Sequence, residues 1–196
     1  MSRVSGISCS VFQKEIEKMV EQGLLTIPFK YLDSSLHIYP AKLRRQIDQA
    51  ILVEQDKGNK VILIYGECHP YMSEYTSDEG VVRISGINCG NIFLGSDVYR
   101  KLQHEGAFIF LPEWTFRWQE IFIHHLGLNK KNLRSFLREM HSKFVYLDTQ
   151  ISPIPENVLK EISHFTGLAM EIISVSPKER LLSKIREAQE RLISDG

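Results

Sequence analysis

Short apolar runs alternate with segments of helical period along almost the whole chain, and that alternation restricts the fold more than any other feature. The runs at 3–9, 60–65, 81–87, 107–111, 143–147 and 169–175 are rich in Val, Ile, Phe and Tyr, as strands buried on both faces are. A further run at 24–32 is interrupted by Pro28, which cannot donate to a ladder and so points to an edge or irregular strand. Between the runs, Phe12, Ile16, Met19 and Val20 recur at helical spacing, with Ser10 placed to cap and Gly23 to stop. Pro40 opens a second such segment, carrying Leu43, Ile47, Ala50 and Ile51 before Gly58. Leu133, Phe136, Leu137 and Met140 mark a third; Val158, Ile162 and Phe165 follow Pro155; Leu181, Leu182, Ile185, Ala188 and Leu192 follow Pro177. Strands alternating with helices imply βαβ units joined by right-handed crossovers. The expected fold is a three-layer α/β sandwich with a mainly parallel sheet, Rossmann-like or flavodoxin-like.

At 196 residues the chain can bury one sizeable core, and one domain spanning 1–196 is expected. Lys plus Arg and Asp plus Glu number 24 each, so the charge balance gives no reason to expect nucleic acid or an anionic membrane as partner. The basic cluster Lys130, Lys131, Arg134 and Arg138 reads as a solvated helix face. No stretch approaches the roughly 18 apolar residues of a membrane helix, and the opening MSRVSGISCSVF lacks the apolar core of a secretion signal. A cytoplasmic protein is expected. Three cysteines, an odd number with no close pair, argue against a disulfide framework and for free thiols or metal ligands.

Cys9, Cys68 and Cys89 each come just past a predicted strand, and the carboxyl ends of parallel strands converge on one edge, where ligands bind in such folds. Cys9 also sits at a strand-to-helix junction, which favours the thiolate. Three thiolates with one open position suit a catalytic zinc or a [4Fe–4S] cluster with one iron free. A plainer account makes the cysteines small buried side chains filling space where strands end. His37 is placed to supply or orient a fourth ligand, and His69, next to Cys68, is its rival. His104, His124, His125, His141 and His164 fall in helical patterns and read as structural.

Glu67, Glu113 and Asp148 each lie near a strand end and are candidates for acid/base or supporting roles. Trp114, Phe116 and Trp118 surround Arg117, a set able to stack on a planar cofactor and take its carboxylate or phosphate, or else to close the edge of the core. Asp148 and Thr149 can orient a ligand or cap a helix. The irregular stretch 66–80 is expected to cover the site, and 86–91 can form an anion-binding turn. The signatures GxGxxG, GxxxxGK[ST] and GxSxG are missing, which removes the main support for dinucleotide, nucleoside-triphosphate and serine-hydrolase readings.

Ile7-Ser8-Cys9, Leu36-His37 with Pro40 and Leu43, Tyr65-Gly66 with Cys68, Cys89 with Leu94-Gly95-Ser96 and Tyr99, Trp114, and Tyr146-Leu147-Asp148-Thr149 together resemble the domain of unknown function 1638, an uncharacterised prokaryotic family. Asn88, Glu113 and Gln150 depart from that pattern, where aspartate, glycine and glycine are common. The resemblance implies that Cys9, Cys68 and Cys89 act together with His37. It also implies a setting in corrinoid-dependent methyl transfer or one-carbon metabolism. The expected function is therefore a metal- or iron–sulfur-binding protein with a three-cysteine site and a small-molecule or corrinoid-protein partner. Two other readings are open: a non-catalytic accessory module for a corrinoid protein or methyltransferase, contacting through 114–118 and 66–80, and a metal-free thiol nucleophile with His37 or His69 as its base.

Overall fold

The computed structural model describes residues 3–76, 80–125 and 130–194. In chain order the elements are β1 (Arg3–Cys9), α1 (Gln13–Glu21), β2 (Phe29–Leu32), α2 (Pro40–Gln55), β3 (Asn59–Ile64), β4 (Val81–Arg83), α3 (Cys89–Leu94), α4 (Ser96–His104), β5 (Ala107–Phe110), α5 (Pro112–Phe116), α6 (Lys130–Met140), β6 (Lys143–Asp148), α7 (Glu156–Thr166), β7 (Ala169–Ser174) and α8 (Ser183–Ser194). The α/β class expected from the residue pattern is the class observed. The contacts gather into two compact units, Met1–Phe93 with Pro177–Gly196, and Leu94–Ser176, each with its own parallel sheet.

The first unit carries four parallel strands in the order β2-β1-β3-β4. From β1 the chain moves to one side of the sheet to make β2, then crosses back over β1 to make β3. Right-handed crossovers in opposite directions put α1 and α2 on opposite faces. Arg186 of α8 donates to the Leu24 carbonyl just after α1 at 3.2 Å, so α8 lies with α1 and completes a three-layer sandwich. Burial on both faces explains the unbroken apolar runs: Ile7 and Val61 through Ile64 are all 0% exposed. Pro40 starts α2 in its first turn, and its buried stripe is Leu43, Ile47, Ala50 and Ile51, the spacing read from sequence. β2, following Pro28, is an edge strand.

The second unit holds β5-β6-β7, all parallel. Both crossovers run in one direction, which places α6 and α7 on the same face. Phe110, Trp118, Phe122, Leu133, Leu137, Phe144, Tyr146, Leu159, Ile162 and Leu168 form its core. Arg134 donates to the carbonyls of His164 and Phe165, and Arg138 to that of Gly167 at 3.2 Å. These two arginines satisfy the carboxyl end of α7, a role beyond the solvated face expected of them; the side chains of Lys130 and Lys131 lie outside the described residues, as do those of His124 and His125.

Ser10 departs from its expected role as a helix cap. Its hydroxyl accepts from the Ser34 backbone N–H at 2.9 Å and so ties the exit of β1 to the turn after β2. No described helix is long and apolar enough to cross a membrane.

Candidate thiol site

Strand order decides which loops meet. In a 2-1-3-4 sheet the topological switch point lies between β1 and β3, and the crevice outside their carboxyl ends is where ligands bind. Cys9 is the last residue of β1, Cys68 lies in the loop leaving β3, and Cys89 begins α3 in the segment leaving β4. Three adjacent strands therefore each deliver one cysteine to the same edge. Cys9 is buried, and Cys68 and Cys89 are half-buried.

Backbone contacts hold the loops together. Glu67 donates its N–H to the Ile87 carbonyl at 2.8 Å, and a Cβ at Gly66 would lie 2.5 Å from Asn88 Cα, so the two segments touch main chain to main chain and only glycine fits between them. Asn88 Oδ1 accepts from Asn91 N–H at 2.8 Å, and Asn91 Oδ1 accepts from Ile87 N–H at 3.3 Å, which closes the turn that presents Cys89. The Arg83 guanidinium donates to the carbonyls of Gly86, at 3.1 Å, and Tyr65, at 3.4 Å, bracing both loops from behind.

The thiols perturb one another. The Cys89 thiol is raised well above its ordinary range, first by a hydrogen bond shared with Cys9, then by burial, then by the charges of Cys9 and Cys68. Cys68 is pushed up to about 11 by burial and next by Cys9, while a backbone hydrogen bond at Gly66 and the Arg83 charge pull the other way. In the metal-free chain both therefore stay protonated at neutral pH, which is the unreactive form of a thiol. Among the described residues, no three His, Cys, Asp or Glu side chains stand ready-arranged around a metal position.

Tyr65, named in the sequence only within the family pattern, adds a buried polar group to this end of β3. It reads as the apolar end of a strand, and it is 1% exposed. Its hydroxyl is buried without a hydrogen-bond partner, and its ionisation is driven far up by burial, then by Cys9, Cys68 and Cys89, and then by Asp33. All three thiols thus act on this one phenol. The Arg83 Nε is likewise buried and unpartnered.

His37 lies on the turn Ser34–Ile38 that leaves β2, the next strand along. Its side chain is exposed, and its Nδ1 is hydrogen-bonded to the Ser34 carbonyl. His69 is 5% exposed; its Nδ1 accepts from Tyr71 N–H at 3.2 Å, its Nε2 is buried and unpartnered, and its ring stands edge-on to Tyr75 at 5.7 Å. Burial foremost, and then Arg44, lower its pKa. Glu67 is exposed and 3.8 Å from Arg83. Residues 77–79 of the expected cover lie outside the described residues.

The remaining candidates belong to the second unit. Trp118, 5% exposed, lies in the core and packs edge-on against Phe165 at 5.0 Å; Trp114 packs against Phe108 at 6.5 Å. Arg117 is paired with Glu113 at 3.2 Å and Glu120 at 2.9 Å. Asp148 caps no helix. Its carboxylate accepts from Gln150 N–H at 2.9 Å and from the Ser174 hydroxyl at 3.2 Å, closing the turn after β6.

The chain is an α/β protein with a thiol trio at the switch point of a parallel sheet. It belongs to the family described as protein of unknown function (DUF1638), whose model matches residues 31–181. The matched span takes in His37, Cys68 and Cys89 and begins beyond Cys9. No curated protein and no solved structure matches the chain.

Proposed function

We propose that Cys9, Cys68 and Cys89 hold a soft metal centre, zinc or a [4Fe–4S] cluster, with one position left for a small ligand. The observation that supports this most directly is the delivery of three thiols, remote in sequence, to one edge of the sheet by the adjacent strands β1, β3 and β4. The donor set fits such a centre, since both zinc and iron–sulfur clusters favour thiolates. Ligand thiols must be deprotonated, so ligation would release protons and metal binding would strengthen as pH rises. A coordinated thiol is deprotonated outright, which offsets the burial that otherwise keeps Cys68 and Cys89 inert. His37, on the turn that leaves β2, is the residue proposed to supply or orient a further ligand.

When bound, such a centre keeps a substrate thiol deprotonated and nucleophilic toward a methyl group. The proposed role is accordingly methyl transfer in one-carbon metabolism, with a corrinoid protein as the partner class, and with Glu67, at the lip of the β3 loop, as the acid/base candidate on the thiol unit. Metal analysis and visible absorbance of anaerobically purified protein test the site. The expected result is about one zinc ion or one cluster per chain, lost in Cys68→Ser. Substoichiometric zinc and iron in both proteins would reject it.

A further inference from the structure

β4 ends the four-stranded sheet, and α8 packs against β4 and β3. Between the exit of β4 and α8 lies a cavity of about 200 Å³, several times the roughly 30 Å³ that one water takes in the liquid. Lys184, Glu187, Ala188 and Arg191 line it from α8, at the i, i+3, i+4 and i+7 spacing that aligns side chains on one helix face. Ala188, 2% exposed, is too short to fill the space between its longer neighbours. Arg83 and Ser85 line it from the β4 side.

The wall carries a surplus of positive charge. Arg83, Lys184 and Arg191 stand against one lining carboxylate, Glu187, and with Glu67, 3.8 Å from Arg83, counted as well, cations still outnumber carboxylates. Lys184 is held in place, because its ammonium donates to the Ser85 carbonyl at 2.9 Å and to the Ser85 hydroxyl at 2.7 Å. Both acceptors are neutral, and the hydroxyl keeps its own proton to donate. Burial lowers the Lys184 pKa and Glu187 recovers only part of the loss, as befits an ammonium short of negative charge. The Arg83 Nε is buried without a partner, and a guanidinium can only donate. The capacity left over on this wall is donor capacity, and it suits an anion.

We propose that this cavity binds a phosphate group, inorganic or carried on a small monoester, with Lys184, Arg191 and the Ser85 hydroxyl donating to its oxygens and Arg83 adding charge from the strand side. A phosphate dianion matches the surplus of cations, and its oxygens accept from donors that converge from both the helix and the strand exit. It needs no metal at the thiols.

Calorimetric titration of the full chain at low ionic strength with inorganic phosphate, glycerol phosphate and acetate tests the site. The expected result is saturable phosphate binding that weakens about tenfold or more in Lys184→Gln, the worth of one charge-assisted hydrogen bond, and changes less than about twofold in Lys101→Gln. Lys101, on α4, is an exposed cation outside the lining, so the second variant removes the same charge from elsewhere. Glycerol phosphate binding at least as tightly as phosphate assigns a monoester, and binding of phosphate alone assigns the free anion. No saturable phosphate binding up to about 10 mM, equal losses in the two variants, or acetate bound as tightly as phosphate would overturn the assignment. Should Lys184→Gln fail to fold, Arg191→Gln, at an exposed position, makes the same comparison.

Discussion

Cys68 leaves the β3 exit with its thiol held up to about 11, by burial first and by Cys9 second. An unfolded cysteine ionises near about 8.5. The folded state therefore keeps a proton that the unfolded state gives up, and the stability linked to Cys68 is fully present below about pH 8.5 and is lost as pH rises from there through about 11. Urea midpoints of the metal-free chain should fall between pH 8 and pH 10.5, and the fall should shrink in Cys68→Ser; an equal fall in both proteins would contradict the assignment. His69, with its pKa lowered by burial, works at the other end of the scale: it contributes stability above the unfolded histidine value of about 6.5, lost as pH falls toward its folded value.

At the level of elements, the site is made by loops that the strands bring side by side. The β3 and β4 exits are joined through the Glu67–Ile87 hydrogen bond and through a main-chain contact that leaves no room for a side chain at Gly66. Gly66→Ala places a methyl 2.5 Å from Asn88 Cα, and backbone, unlike a flexible side chain, cannot step aside. The expected cost is about 1–3 kcal/mol, read by chemical denaturation, together with faster alkylation of Cys68 and Cys89 as the loops part. A loss below about 0.5 kcal/mol would match an ordinary surface change and contradict the contact. Much of this scaffold was legible beforehand. The runs ending at Cys9, the first-turn proline of α2 and the proline-marked edge strand follow from local period and backbone chemistry, and the three cysteines at strand exits follow from topology. The division into two sheets was not legible, because periodicity marks a strand without naming its neighbour. Tyr65 entered the reading only as part of the family pattern, because its ring satisfies the strand period while the state of its hydroxyl, buried without a partner, is invisible to that period. Trp118 and Arg117 sit at a strand exit where aromatic and basic residues read equally as ligand contacts or as core edge and ion pair; Trp118 belongs to the core cluster and Arg117 bridges Glu113 and Glu120.

For the whole molecule, the strand order β2-β1-β3-β4 puts the crevice of the first unit between β1 and β3, with Cys9 and Cys68 on either side and Cys89 at the next exit. In the second unit Arg117 and Asp148 are engaged in local ion pairs and turns; the proposal places the metal centre on the thiol unit. Zinc and iron X-ray absorption on protein purified without oxygen tests that claim most directly. The expected result is a metal edge with about three sulfur neighbours near 2.3 Å, reduced in Cys89→Ser. A first shell of nitrogen and oxygen alone, or no stoichiometric metal edge, would contradict it.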